Sequence, residues 1–470
     1  MRTTRHGWGH SPGLILWAII AALGLVAVPE RAAAQGASAG QVTFTKDIAP
    51  VLQRSCENCH RKGGVAPMPL TTYDEVRPWA RAIKTKTAAR EMPPWFIEKN
   101  VGIQRFKDDP SLSDDEIARI ATWVDGGATR GNPADMPPPR QYADASAWSI
   151  GTPDLVVSSP VMTVKAVAPD WHGEVGPVPL GLTEDRYVMA AEVREIRIGQ
   201  NTLDRASGKS GDLNYFALHH AGVREQYSDD VEAKLAASGE ADESRPGEGF
   251  YLVYELGQNA AIYPADTGVI LRAGSSLSYT LHLHSIGKDV PVRVDVAFKF
   301  HPKGFKPKYI QQGFVSMGGN SQELDLPAGR QNLRYDGYYT MPKSGILTTY
   351  EPHLHMSGKR MCVEAIYPSG SREMLNCAGY NHNWVKTYVY EDDVAPLLPK
   401  GTIMHVMGWY DTSPRNPRNV EPRNWKGWGN RSIDDMFIFL PKVTFVTEDQ
   451  FKTLVAERQT KQRPAPTAQN

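Results

Sequence analysis

The sequence predicts a multidomain protein in which a small all-α domain is followed by two all-β sandwich domains. The chain has 470 residues, enough for about three domains of typical size. Helical periodicity is confined to residues 41–135, whereas after Trp148 short β-branched and aromatic runs alternate with Gly, Pro and Asp turns. A content of 41 Gly and 35 Pro with 22% charged residues also favours a turn-rich β protein.

The charge of the chain argues against a nucleic-acid partner. Lys and Arg together number 52, as do Asp and Glu, so the formal net charge is zero. A balanced charge gives no basic surface that would attract phosphates or anionic lipids.

Residues 1–34 are predicted to be a signal peptide. Arg2 and Arg5 precede an apolar run at residues 14–28, and the alanines at 32–34 offer a small-residue cleavage site. An uncleaved anchor is the alternative, but the run is shorter than the ~20 residues that span a bilayer. No later segment is long and apolar enough to span. The mature protein is therefore expected to be periplasmic or secreted, with no membrane span.

The strongest motif is Cys56-Glu57-Asn58-Cys59-His60. Two such cysteines form thioethers to the haem vinyl groups, and the adjacent His ligates the iron. A CxxC redox pair or half a zinc site needs no His, and the chain has no second CxxC. The motif predicts covalent haem c bound through Cys56, Cys59 and His60.

The haem motif lies in sequence with helical character. Helices are predicted at residues 44–54 and 74–90, and a capping box at Ser113 and Glu116 opens a third. Together with the motif, these helices resemble a small cytochrome c domain at residues 41–135.

The sixth haem ligand is expected to be a thioether sulfur, the usual partner of His in electron-transfer haems. Met92 is favoured because Pro93 and Pro94 would hold its loop rigid. Met68, closer to His60 in sequence, is the alternative.

The proline-rich stretch that follows is interpreted as a stiff linker at residues 136–150. The β region beyond it is too long for one ordinary sandwich. We divide it near His301 into domains at 151–301 and 302–450, followed by a polar tail at 451–470.

Three histidine pairs stand out in strand-like sequence: His219 with His220, His282 with His284, and His353 with His355. Alternate strand residues point to one face, so His353 and His355 would lie side by side. Imidazole suits Zn, Cu, Fe and Ni, which makes these pairs candidate metal ligands.

Five short stretches resemble, in order, the copper-site motifs of the copper type II, ascorbate-dependent monooxygenases. They are residues 214–220, 279–282, 352–355, 358–359 and 434–436. That family includes peptidylglycine α-hydroxylating monooxygenase and dopamine β-hydroxylase. The resemblance covers residues 150–450. It implies two jelly-roll domains that face each other across a solvent-filled cleft and hold two copper ions.

The resemblance also implies the ligands. The first copper would be held by His219, His220 and His282, with His284 as an alternative because it shares a strand face with His282. The second would be held by His353, His355 and Met436. Two imidazoles with a soft thioether favour Cu(I), whereas a zinc hydrolase would have no use for Met. The histidines that match no ligand position are expected to be structural or surface residues: His172, His301, His382 and His405.

The implied function is that of an exported monooxygenase, an oxidoreductase that hydroxylates a C–H bond of a small-molecule or peptide substrate with O₂. His353, His355 and Met436 would be catalytic, and the haem at His60 would pass on electrons from a periplasmic donor protein or supplement ascorbate. The alternative is a non-catalytic electron-transfer or copper-binding subunit of a periplasmic or respiratory complex.

The two remaining cysteines, Cys362 and Cys377, flank a predicted hairpin with a turn at residues 368–370. In an exported protein such a pair is expected to form a disulfide bond.

Replacing either Cys56 or Cys59 by Ala should abolish normal covalent haem attachment, because each thiol supplies one thioether. A pyridine haemochrome spectrum of the purified variants, compared with the wild type, measures this. A wild-type spectrum without c-type haem would contradict the assignment.

Overall fold

The computed structural model describes residues 40–62, 64, 66, 68–142, 147–199, 216–238, 248–255, 260–314, 324–429, 431 and 433–462. The signal peptide predicted at 1–34 lies outside these residues, as do Asn214, Tyr215 and the end of the predicted polar tail. Strands make up 37% of the structure and helices 19%, so the protein is mostly β. None of the described helices is long and apolar enough to cross a membrane.

The helices are mostly short. They are α1 (Ala49–Ser55), which follows a π-helical turn at Phe44–Ile48, α2 (Tyr73–Val76), α3 (Ala80–Ala88), α4 (Asp114–Asp125), α5 (Asp229–Ser238) and α6 (Glu448–Gln462), with 3₁₀ turns at Arg77–Trp79, Pro133–Asp135 and His382–Trp384. The predicted capping box of Ser113 and Glu116 opens α4. α6 occupies part of the segment interpreted as a polar tail.

Strands dominate from residue 155 onward. The first half contains β1 (Ile97–Gly102), β2 (Leu155–Ser158), β3 (Met162–Val164), β4 (Trp171–Pro179), β5 (Arg186–Arg197), β6 (Leu218–Gln226), β7 (Glu248–Glu255), β8 (Ala260–Ile262), β9 (Thr267–Leu271), β10 (Ser276–Leu283), β11 (Val290–Phe300) and β12 (Tyr309–Phe314). The second half contains β13 (Asp325–Leu326), β14 (Leu333–Thr340), β15 (Gly345–Leu347), β16 (Thr349–Tyr350), β17 (Pro352–His353), β18 (Gly358–Ile366), β19 (Arg372–Gly379), β20 (Tyr388–Val389), β21 (Leu397–Leu398), β22 (Ile403–Tyr410), β23 (Lys426–Gly427), β24 (Ile438–Phe439) and β25 (Lys442–Phe445).

The prediction of a separate all-α, cytochrome c-like domain at the N-terminus is wrong. Strand β1 follows α3 and pairs antiparallel with β19, which places it at the edge of the sheet β1-β19-β18-β22-β14. The neighbouring Trp95 packs edge-to-face on Tyr388, with 4.8 Å between the ring centroids. Aromatic burial against the C-terminal half therefore draws part of this segment into a β-sheet.

The prediction of two separate jelly-roll sandwiches is also wrong. A ten-stranded sheet runs through both halves of the chain, with β2-β11-β5-β9-β12-β25-β15-β21 as its main path. β12 makes the connection, because it pairs parallel with β9 on one side and antiparallel with β25 on the other. The segment after His301 thus continues the sheet of the first half.

Each half of the chain has its own large apolar core. One is built around Val188, Tyr279 and Phe298, and another around Tyr350 and Phe439. Strands β6 and β10 belong to the four-stranded sheet β4-β10-β6-β7, which packs over the first core. These two strands carry the first group of histidines.

The predicted disulfide bond between Cys362 and Cys377 is confirmed. The two residues lie directly opposite each other on β18 and β19, and their sulfur atoms are bonded. The bond closes the predicted hairpin in the middle of the sheet that also holds β1.

Replacing both Cys362 and Cys377 by Ser should lower the free energy of unfolding by about 3 kcal/mol, because the bond closes a loop with a sequence separation of 15. Chemical denaturation measures the change, with Ser369→Ala in the exposed hairpin turn as a control. A loss no larger than that of the control would contradict the stabilising role.

Candidate metal centre

Three histidines on neighbouring strands direct ring nitrogens at a common point. Nδ1 of His220 lies 3.2 Å from Nδ1 of His219 and 3.4 Å from Nδ1 of His282. A tetrahedral ion with ligands about 2.0 Å away requires ligand separations of about 3.3 Å. The ligand atoms of this first histidine set, His219, His220 and His282, all lie within 4.8 Å of one another. The set therefore fits one metal ion.

A β-bulge explains how two adjacent residues join the same set. On a regular strand His219 and His220 would point to opposite faces. In the pairing of β10 with β6, His282 lies opposite His220 but Leu283 lies opposite Leu218, so His219 is the extra residue. A bulge of this kind re-aims a side chain. It brings His219 to the face of His220.

Asp170 orients one ring of the first set. Its Oδ2 lies 3.2 Å from Nε2 of His282, which leaves Nδ1 of the same ring directed at the other histidines. A carboxylate behind a metal-binding imidazole fixes the tautomer and raises the basicity of the ligand. Nothing in the sequence around Asp170 marks it for this role.

The first set is suited to neutral imidazoles. Burial, followed by the charges of His282 and His284, lowers the pKa of His219 to about 4. Burial likewise holds the pKa of His220 well below its usual range. Neutral rings keep the lone pairs that a metal ion needs.

His353 and His355 form a second pair in the C-terminal half, with ring centroids 5.4 Å apart. Both side chains are buried. Nδ1 of His355 lies 3.2 Å from the Asp434 carbonyl oxygen, while its Nε2 is buried with no hydrogen-bond partner among the described residues. A buried imidazole with one nitrogen anchored and the other unpaired is arranged as a metal ligand.

Glu255 lies beside both groups of histidines. It is opposite His220 in the pairing of β6 with β7, and its Oε1 is 3.6 Å from Nδ1 of His353. Burial, followed by the charge of Glu351, raises its pKa well above the usual range. A cation in the cluster would stabilise this carboxylate in its charged form. No motif in the sequence singles out Glu255.

Hydrogen bonds hold the segment that carries Met436 against the second pair. Asp435 accepts a hydrogen bond from the Ser357 backbone N–H at 3.1 Å, and the Met436 carbonyl accepts one from the Tyr410 hydroxyl at 2.5 Å. Strand β17 pairs with β24 so that His353 lies opposite Ile438. Met436 therefore sits two residues before the partner of His353.

The two groups of histidines are in contact. The ring centroids of His220 and His353 are 6.2 Å apart, and His382 approaches His219 to 5.1 Å and His355 to 5.2 Å. The resemblance implied copper sites that face each other across a solvent-filled cleft. In this structure the rings from the two halves instead form one cluster, in which His219 and His220 are half-buried and His282, His353, His355 and His382 are buried.

The other histidines divide into two kinds. His301 and His405 are structural as expected, since His301 Nε2 lies 3.1 Å from the Thr267 carbonyl oxygen and His405 lies between Asp336 and Glu364. His172 and His284 lie at the edge of the first set. Their ring centroids are 6.0 Å from His282 and 5.7 Å from His219, respectively.

The haem motif follows α1 directly. Cys56 and Cys59 have free thiols, and Nδ1 of His60 lies 3.1 Å from the Met68 carbonyl oxygen. A backbone carbonyl behind a ligating imidazole leaves Nε2 free for the iron. The arrangement therefore fits a covalently bound haem.

The structure describes both candidates for the sixth haem ligand. The Met68 carbonyl oxygen lies on the Nδ1 side of the His60 ring. Met92 is half-buried in the turn after α3, where its backbone N–H donates to the Lys86 carbonyl. Ligation by Met92 stays a prediction, with Met68 as the alternative.

Replacing Asp170 by Asn should lower the copper affinity of the first set by about 10- to 100-fold, because the amide orients the His282 ring less firmly. Competition with a chelator, followed by metal analysis, gives the affinity. Asp289→Asn is the matched control, since that exposed carboxylate pairs with Lys165 and with the backbone N–H of Ala166. Equal affinities in the two variants would contradict the orienting role.

Comparisons with known proteins give no assignment. No family model matches the chain, and no curated protein matches it. Among solved structures, it is similar to naturally occurring empty particles of Cowpea mosaic virus, with 8% identity over 64% of this chain and 92% of that chain and a TM-score of 0.28. The tandem CBM22 domains of Xyn10C from Paenibacillus barcinonensis have 8% identity over 65% of this chain and 100% of that chain, with a TM-score of 0.17. PNGF-II has 9% identity over 66% of this chain and 63% of that chain, with a TM-score of 0.21. Likenesses this weak carry no argument about this protein.

Proposed function

We propose that this protein is an exported, haem- and copper-containing monooxygenase that hydroxylates a C–H bond with O₂. The observation that carries the proposal is the convergence of the first histidine set with His353 and His355 in one cluster. The ordered resemblance of their motifs to copper type II monooxygenases supports copper as the metal.

The two groups of ligands differ in a way that suits this reaction. Three imidazoles accommodate both copper oxidation states, and two imidazoles with a thioether favour Cu(I), so bound copper would supply electron storage and O₂ reactivity. His353 and His355 would hold one ion, with Met436 as the thioether. Their burial keeps bulk water from the ligand nitrogens, and the Asp434 carbonyl keeps the His355 ring oriented.

A short segment connects the haem motif with the cluster. Lys386 is half-buried near Cys59, and burial lowers the pKa of its ammonium group. His382, four residues earlier, contacts both groups of histidines. We propose that electrons enter at His60 and reach the cluster along this segment. The donor is a periplasmic protein, or ascorbate serves alongside it.

A cavity of about 420 Å³ lies beside the segment that contains Asp434 and offers room for a substrate. Its lining includes Asp434, whose carbonyl oxygen contacts His355. It also includes Trp425, Trp428 and Ile433, which are exposed apolar side chains. Such a lining suits a small molecule or peptide with an apolar or aromatic group.

One observation favours a second function. The ring contacts between the two halves leave little space for a substrate directly between the histidines. A copper-binding or electron-transfer subunit of a periplasmic or respiratory complex would need no such space.

Isotope labelling distinguishes the two functions. Copper-loaded protein, reduced with ascorbate, is mixed with ¹⁸O₂ and either a glycine-extended peptide or a phenethylamine, the substrate types of the resembled family. We expect labelled hydroxyl product from the wild type and from His405→Gln, and none from His353→Ala, which loses a ligand beside O₂. The wild type is expected to consume O₂ in step with product.

The result that would contradict the monooxygenase is specific. Copper-loaded wild type that consumes O₂ no faster than His353→Ala with either probe, while its haem still exchanges electrons, would support the electron-transfer function instead.

A further inference from the structure

His382 is a buried histidine whose ring lies close to both groups of histidines. It begins the 3₁₀ turn that is capped by Asn381, whose side-chain oxygen accepts a hydrogen bond from the Asn383 backbone N–H. The His382 side chain is 4% exposed, and neither ring nitrogen has a partner among the described residues. The turn therefore fixes a fully buried imidazole with both nitrogens unsatisfied.

Such a ring is unfavourable unless something binds it, since a neutral imidazole has one donor and one acceptor and burying either unpaired costs free energy. The structural histidines of this protein avoid that cost. His301 faces the Thr267 carbonyl oxygen, and His405 faces two carboxylates. His382 resembles His355 instead, whose Nε2 is also buried and unpaired.

The spacing of the rings indicates what binds His382. Within the first histidine set, whose nitrogens converge on one point, ring centroids lie 4.7 to 5.4 Å apart. His382 lies 5.2 Å from His355, and His355 lies 5.4 Å from His353. These separations match those of rings that share an ion.

We propose that His382 is a third imidazole ligand of the metal ion held by His353 and His355. The first histidine set already supplies three imidazoles, whereas the second pair has only two. The inference rests on the second metal site of the proposed function. With His382 as a ligand, each ion would have three imidazoles. The His382 ring would then lie between the two ions, since its centroid is 5.1 Å from that of His219.

The test compares copper binding in the wild type, in His382→Gln and in His405→Gln. His405→Gln is the control, because it removes a buried histidine of the same half whose ring nitrogens have carboxylate partners. Competition with a Cu(I) chelator should show the second copper bound at least about tenfold more weakly in His382→Gln only. The Cu(II) resonance of that ion should lose the splitting from one nitrogen.

X-ray absorption of the copper-loaded wild type provides a measurement that needs no variant. Six imidazoles on two ions give an average of about three per copper, against about 2.5 if His382 is not a ligand. An average near 2.5, or a His382→Gln variant with wild-type affinity and spectrum, would overturn the role of His382 while leaving the two-copper protein intact. Wild type that binds no second copper would overturn both.

Discussion

The structure depends on a group of neutral imidazoles that are buried against one another and share few hydrogen bonds. Nitrogens 3.2 and 3.4 Å apart in the first histidine set repel unless a proton or a cation lies between them. Their spacing matches a tetrahedral ion, and Asp170 lies behind the His282 ring as a carboxylate lies behind a metal-bound histidine. Metal binding would therefore turn an unfavourable arrangement into a stabilising one.

The fold supplies the rigidity that such a cluster requires. β12 joins the two halves in one sheet, so the histidines of β6 and β10 are held at a fixed distance from those next to β17. On the other side, β1 pairs with β19 and brings the haem-motif segment against the same C-terminal half. The cluster and the haem motif thus lie at two ends of the segment that contains His382 and Lys386.

Local signals in the sequence were sufficient for part of this picture. The capping box at Ser113, the hairpin disulfide and the predominance of strands after residue 155 follow from short-range patterns. Long-range contacts were not predictable in the same way. In β1 buried and exposed residues do not clearly alternate, and this segment becomes a strand because β19 offers an edge to pair with. The bulge at His219 is likewise created by the pairing of β6 with β10.

The same limit applies to the site. The paired histidines could be identified because each pair is visible within a few residues of sequence. His382, Asp170 and Glu255 are single residues far from those pairs, and only the folded chain brings them within reach. His382 was expected to be a structural or surface residue, yet both of its ring nitrogens are buried without a hydrogen-bond partner among the described residues.

The central claim is that histidines from both halves form one cluster, and the magnetic coupling of two bound Cu(II) ions tests it most directly. Because His220 lies 6.2 Å from His353 and His219 lies 5.1 Å from His382, measured between ring centroids, the ions should be close. Electron paramagnetic resonance of the fully loaded protein should then show a broadened signal, a half-field transition and a spin count below the copper content. Two unbroadened signals, with a spin count equal to the copper content, would contradict the account.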